Sequence, residues 1–360
     1  METKRAETTT APALYADKDS NNLQNIKALK PKFDSLTATD IKKHVEAMAT
    51  KNEPTETPSE MTLAELLAGA EIDFTKPLPP PPVCLYFGDA SVLYLGDIST
   101  TIGKAKGRKT FASGLFMAAL AGNCTIQNLI KSDLPNNKRI VLSFDTEQGA
   151  YHAQKTANRV LKLLNVETLP NFKAYGLRKF SPAEKLQIIE YAIYNTPDLG
   201  FVFIDGIRDL ITSINDEEQA TMITSKLMKW SEELNIHINC ILHMNKGDNN
   251  ARGHVGTELM NKSLTVLGVT KNEKQTDYST VEPIACRDKD PEPFTFGIDE
   301  NGLPYLLEHE QMILLNKLSE SKTKKSLQPS DYQDDFHIDN LKLKIFNNES
   351  ERKYSELVSM

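Results

Sequence analysis

Ser99-Thr-Thr-Ile-Gly103-Lys-Ala-Lys-Gly107-Arg-Lys109-Thr110-Phe-Ala-Ser113 is the stretch whose reading decides the fold. Apolar and β-branched residues lead into Gly103, a basic glycine-containing loop follows, and Lys109-Thr110 opens a helical run from Phe111 to Ala121. Strand, glycine loop, Lys-Thr and helix is the order of a phosphate-binding P-loop. Backbone N–H groups of such a loop and of the helix start converge on one point, where the helix dipole also favours an anion. The expected ATP cradle therefore runs from Gly103 through Lys104, Ala105, Lys106, Gly107, Arg108, Lys109 and Thr110 to Phe111. Lys109 would reach the β- and γ-phosphates, and the Thr110 hydroxyl would bind Mg²⁺. One position departs from G-x-x-x-x-G-K-[ST]: Arg108 stands at the second glycine, and Gly107 comes one residue early. A side chain there restricts the backbone, so the loop is expected to differ in shape or to bind nucleotide less tightly. The competing reading is a lysine-rich turn ahead of a buried helix.

Outward from this stretch, apolar runs and helical patterns alternate. Val83 to Phe87 and Ser91 to Leu95 read as a hairpin around Gly88-Asp89. Ile140 to Phe144 reads as a strand ending in Asp145-Thr-Glu147-Gln-Gly149, followed by a helix from Tyr151 to Leu164. Phe172 to Tyr175 is a strand, Pro182 to Tyr194 a helix, Leu199 to Asp205 a strand, Glu217 to Asn235 a helix. Ile236 to Leu242 is a strand ending at His243-Met-Asn-Lys246, and Leu264 to Val269 is the next. Alternation of this kind predicts an α/β fold with a mainly parallel sheet covered on both faces. Ligands then bind at the carboxyl ends of the strands. Ser279 to Ala285, Phe294 to Ile298 and Leu303 to Leu307, the last two joined through Asn301-Gly302, predict antiparallel strands.

Two carboxylates leave apolar strands after the P-loop. Asp205 is placed to hold Mg²⁺, directly or through water, its rival role being the cap of the next turn. Glu147 is placed to accept a proton from the attacking water, its rival role being a surface glutamate at a helix start.

The chain of 360 residues, 39% hydrophobic and 25% charged, has room for one large α/β domain with appendages or for two smaller domains. A net charge of −7 excludes a globally basic nucleic-acid binder and leaves only a local patch or pore. Cys84, Cys124, Cys240 and Cys286 form no C-x-x-C pair and are expected to be free thiols in a reducing compartment. Neither a membrane span nor a signal peptide is read, so a cytoplasmic protein without membrane partners is expected. Residues 1–82 read as a partly disordered arm with short helices, one at Thr37 to Met48 and one after Ser59, closed by the stiff connector Pro77 to Pro82. These helices would pack on a neighbouring subunit or on their own domain. Residues 83–310 form the core, 311–330 a linker, and 331–360 a short helical segment resembling the start of an unfinished domain.

The P-loop, the F-D-T-E strand end, the F-I-D strand end and the L-H-M-N-K strand end occur in an order that resembles RecA-like ATPases. The likeness is to the hexameric replicative helicase branch, of the DnaB and plasmid RepA type, whose mobile-element members also carry lysine-rich P-loops. It implies a RecA-like P-loop core with a twisted, mainly parallel sheet, ATP and Mg²⁺ as cofactors, and a homo-oligomeric, hexameric ring acting on single-stranded DNA. It also implies roles. Glu147 matches the catalytic glutamate, Asp205 the metal-binding aspartate, and His243 a polar sensor, against the alternative of a satisfied core-edge histidine. The loop Asn245 to His254 matches the segment that lines the pore, with Lys246 and Arg252 as phosphate contacts. Arg287 matches an arginine finger acting on the adjacent subunit's ATP, against a surface ion pair with Asp288 or Asp290. Lys262 and Arg208 are secondary candidates for that interface. Rival functions are a regulatory nucleotide-binding module with slow or no turnover, and a recombinase or loader that coats DNA.

Overall fold

The computed structural model describes residues 62–213, 216–244, 251–272 and 277–307. All but Leu307 fall in one compact unit, Met1–Leu306; a second unit is Leu307–Met360. The expected helix at Thr37 to Met48, the linker and the C-terminal helical segment lie outside the described residues.

Helix α1 (Leu63–Ala70) starts at Thr62, whose hydroxyl accepts from the Glu65 N–H while the Glu65 carboxylate accepts from the Thr62 N–H. The helix after Ser59 is therefore present. It does not pack on its own domain: Leu63, Leu66 and Leu67 are 85%, 51% and 75% exposed. Strands β1 (Val83–Phe87) and β2 (Ala90–Tyr94) form the expected hairpin. Strand β3 (Ile98–Gly103) runs into the phosphate loop, and α2 (Lys109–Gly122) follows, buried on nearly every side as its apolar sequence requires. Asn123 ends α2 in the left-handed region and donates back to the carbonyls of Ala119 and Leu120.

A short hairpin, β4 (Thr125–Ile126) and β5 (Ile130–Ser132), comes next, too brief for apolar alternation to reveal it. It joins the first hairpin in an antiparallel sheet of order β2-β1-β5-β4. The chain then alternates as expected through β6 (Ile140–Asp145), α3 (Ala150–Leu163), β7 (Phe172–Gly176), α4 (Pro182–Tyr194), β8 (Leu199–Asp205), α5 (Glu217–Leu234) and β9 (His237–His243). Helix α6 (Gly253–Lys262) begins inside the stretch expected to be loop as far as His254. Strands β10 (Thr265–Lys271), β11 (Tyr278–Cys286), β12 (Phe294–Ile298) and β13 (Pro304–Leu306) complete the order.

The main sheet has nine strands in the order β13-β12-β11-β10-β3-β9-β8-β6-β7. Strands β10, β3, β9, β8, β6 and β7 run parallel, and β11 to β13 are antiparallel additions at one side. Side-chain alternation divides the core between the two faces. Val141, Phe201 and Phe203 join the cluster with α2 and α3. Leu142, Val202 and Ile204 join the cluster with α4, α5, α6 and the fully buried Trp230. A buried polar ladder crosses β3 and β9: His237 Nε2 lies 2.7 Å from Ser99 Oγ, and Asn239 Nδ2 donates to Ser99 Oγ at 2.8 Å and to Thr101 Oγ1 at 3.1 Å. All four cysteines are free, Cys84 and Cys240 buried and Cys124 and Cys286 partly buried. Among the described residues no helix is long and apolar enough to cross a membrane.

Gly200 marks where the sheet admits no side chain, because a Cβ there would lie 1.9 Å from the Lys138 carbonyl oxygen. Backbone cannot yield as a side chain can, so Gly200→Ala is expected to destabilise the fold by about 1–3 kcal/mol or more. Urea denaturation checks this, and an unchanged midpoint would contradict the close packing of β8 on the turn before β6.

Candidate active site

Register delivers the site. Gly103 at the end of β3 pairs with His243 at the end of β9. Asp205 at the end of β8 pairs with Ile241 of β9 on one side and Asp145 of β6 on the other. The P-loop, the histidine and the carboxylates therefore meet at one edge of the sheet, where parallel strands present their carboxyl ends.

The loop itself resolves the oddity at Arg108. Arg108 adopts φ 70°, ψ 23°, the left-handed conformation for which glycine is usual. For an arginine this costs roughly 1–2 kcal/mol, and its guanidinium is held by a hydrogen bond to the Asp277 carbonyl at 2.5 Å. The glycine that sterics demand is Gly107: a Cβ there would approach the Lys104 carbonyl oxygen to 2.8 Å. Gly103 is equally constrained, with the Val269 carbonyl oxygen 2.4 Å from where a Cβ would stand.

Lys109 opens α2 and is buried. Its Nζ donates to the carbonyls of Gly103 at 2.9 Å and Lys104 at 3.1 Å, and lies 3.0 Å from His243 Nδ1. Burial lowers its pKa, opposed by the charges of Asp205 and Glu147. The Thr110 hydroxyl donates to Asp205 Oδ2 at 3.2 Å. Glu147 Oε1 lies 3.5 Å from His243 Nε2, and that contact holds the Glu147 carboxyl below its ordinary range against the effect of burial. Lys109, Thr110, Glu147, Asp205 and His243 thus form one connected group.

Three residues of the site carried no assigned role in the sequence reading. Asp145 accepts from the backbone N–H groups of Glu147 at 3.1 Å and Gln148 at 2.7 Å, fixing the turn that presents Glu147. The Thr146 hydroxyl lies 2.9 Å from the Asp205 carbonyl and 2.8 Å from the Gly206 carbonyl, either of which can accept its proton, which links the β6 and β8 ends. Gly206 has φ +96°, and a Cβ on it would fall 2.3 Å from Thr146 Oγ1 and 2.8 Å from Glu147 Cγ. The signal for Asp145 was present in the sequence, since aspartate at a strand end commonly caps the backbone two or three residues on. The Gly206 requirement depends on β6 lying beside β8, which no local pattern states.

Arg287 is not part of this group. Its N–H donates to the Leu264 carbonyl at 3.1 Å, one residue ahead of β10, and its charge acts on Asp97 just before β3. That is the opposite edge of the sheet, roughly 15 Å from the P-loop along the strands. Lys262, the last residue of α6, lies at this far edge too. Arg208 sits beside the site, on the turn that follows Gly206. Arg252 is exposed at the N-terminus of α6, and its N–H donates to the His243 carbonyl at 3.0 Å. Lys246 lies outside the described residues.

A hard cation fits the donors present. Thr110 and Asp205 offer oxygen only, and among the described residues no cluster of three or more acidic, histidine or cysteine side chains makes a full cage. Few protein oxygens, the rest of the shell left to phosphate and water, is the habit of Mg²⁺. Loop N–H groups and Lys109 suit the phosphates.

Residues 60–249 match the protein family described as AAA domain, P-loop ATPases that include RecA-like helicase-type domains. No curated protein matches the chain.

Burial, with the neighbouring Asp145 and Glu147 carboxylates, raises the Asp205 pKa to about 6. An unfolded aspartate titrates at about 4, so ionising Asp205 costs the folded state stability, fully above about pH 6 and not at all below about pH 4. Asp205→Asn is therefore expected to raise the melting temperature by a few degrees at about pH 7.5, on the order of 1–3 kcal/mol, and to leave it unchanged near pH 4. Thermal melts at the two pH values check this; no gain at the higher pH contradicts it.

Proposed function

The chain belongs to the AAA domain family of P-loop ATPases, and on that premise we propose that it is a RecA-like motor ATPase of the replicative-helicase type. It hydrolyses ATP with Mg²⁺, assembles as a hexameric ring, and moves along or unwinds single-stranded DNA, as a helicase of a plasmid or mobile element does.

The single observation that carries the hydrolytic half is the meeting of Lys109, Thr110, Asp205 and Glu147 at one sheet edge. Bound Mg²⁺·ATP supplies a terminal phosphoryl group open to in-line attack, with its charge neutralised by the metal. Lys109, released from the Gly103 and Lys104 carbonyls, donates to the terminal phosphates. Thr110 and Asp205 would hold the metal. Glu147, whose carboxyl His243 holds below its ordinary range, would take the proton from the attacking water.

The motor half is supported by how the residues on either side of the segment 245–250 are held. At its base Met244 pairs with Ala251, the Met244 N–H donates to the Gly103 carbonyl at 3.0 Å, and the Arg252 N–H donates to the His243 carbonyl at 3.0 Å. These bonds tie both ends of that segment, which carries Lys246 and is followed by the exposed Arg252, to the P-loop and to His243. These cations would meet the phosphates of the strand. Arg287, remote from its own site, has a catalytic use only toward the nucleotide of a neighbouring copy, which ties turnover to ring assembly.

ATP turnover with and without oligothymidylate tests this reading. Wild type is expected to hydrolyse ATP faster with the oligonucleotide, and Lys109→Ala to lose nucleotide binding and turnover together. Glu147→Gln is expected to keep Mg²⁺·ATP binding and lose at least about a hundredfold in turnover. An inert wild type overturns the motor, and DNA-stimulated turnover without strand displacement on a fork points to the loader or recombinase.

A further inference from the structure

Next to Glu147 the sheet edge opens into a cleft of about 540 Å³ for which the ATPase chemistry has no use. Its walls are the Thr146-Glu147 turn after β6, Arg178 after β7, and Arg208 with Asp209 after β8, while Lys185 projects from the second turn of α4. Three cations thus face Asp209 and the catalytic carboxylate.

The cations are not saturated. Asp209 is shared, its carboxylate 3.8 Å from Lys185 Nζ and 3.5 Å from the Arg208 guanidinium. Both distances exceed the ~2.7–2.9 Å of a charge-assisted hydrogen bond. Lys185, with a side chain only 8% exposed, gives a hydrogen bond to the Thr146 carbonyl at 3.2 Å; an ammonium carries three donors, so donors remain for the cleft. Arg178 is exposed, and none of the hydrogen bonds or ion pairs of the described residues engages it. Arg208 also helps hold the Glu147 carboxyl down, which places its charge within reach of the hydrolytic centre.

We propose that this cleft is an oxyanion site that receives the orthophosphate freed at Glu147 and gives it a way out separate from that of ADP. The proposal rests on the ATPase reading. Depth argues for a small ion over a nucleic-acid backbone, because Lys185 is too buried to touch a polymer passing over the surface. Position argues the same way: the cleft opens beside β6, β7 and β8, whereas Lys246 and Arg252 follow β9 in the chain. A phosphate leaving through cationic walls need not wait for the nucleotide to dissociate, so release order becomes a property of these side chains.

The test uses the full chain and inorganic phosphate as probe, followed by ³¹P line broadening with and without Mg²⁺·ADP. Wild type is expected to broaden the phosphate signal, and Arg178→Glu to weaken that binding about tenfold or more. Arg178→Lys is expected to retain most of it. Arg178 is exposed, so the variants should melt with wild type, and equal broadening by wild type and Arg178→Glu overturns the site. So does a variant that loses oligothymidylate binding while phosphate broadening stays intact. Orthophosphate inhibition of turnover gives a second readout, expected to weaken in Arg178→Glu at unchanged KM for ATP. If wild type turns over no ATP yet broadens phosphate through Arg178, the ATPase reading fails and the anion site stands.

Discussion

Register across the parallel strands β3, β9, β8 and β6 is the constraint on which the rest depends. Gly103 lies opposite His243, and Asp205 opposite Asp145, only because each strand is paired in one way. A slip of one residue would send every side chain of a strand to the other face. The core forbids it: Phe201 and Phe203 fill one cluster while Val202 and Ile204 fill the other. Between β3 and β9 the ladder from His237 through Ser99 and Asn239 to Thr101 adds a polar check, since a shift would strand buried donors without partners. The site's precision is therefore borrowed from packing well below it.

At the edge, environment divides labour among like groups. Asp205 and Glu147 are both carboxylates, yet burial pushes one up to about 6 while His243 holds the other down. In the proposed ATPase, an Asp205 that is costly to ionise without a cation, beside an ionised Glu147, would suit a centre completed by its ligand. Lys109 sits in the same field, buried and spending its donors on loop carbonyls and His243. His243 touches both the lysine and the glutamate, and its own carbonyl accepts from the Arg252 N–H.

Much of this was legible in the sequence because the elements are long and the chemistry is local. β8 and α4 have the very bounds that apolar run and capping pattern imply; Lys109 follows from the loop-to-helix pattern, and Glu147, Asp205 and His243 from strand ends. What escaped was either short or relational. β4 and β5 carry too few residues for a period. Helix α6 was hidden by a glycine- and asparagine-rich approach that reads as loop. Gly206 and Thr146 matter only because β6 neighbours β8, and the cleft lined by Glu147, Arg178 and Arg208 gathers residues from three separate connections. Arg108 looked like a defect, and the structure shows the glycine requirement moved to Gly107 with the arginine tethered in the left-handed conformation.

The most direct measurement is a crystal structure with Mg²⁺ and a non-hydrolysable ATP analogue. The account predicts Mg²⁺ on the Thr110 hydroxyl beside Asp205, Lys109 Nζ moved from the Gly103 and Lys104 carbonyls onto the terminal phosphates, and a water held by Glu147. Nucleotide bound elsewhere, or Lys109 left on its loop carbonyls beside a bound triphosphate, would contradict it.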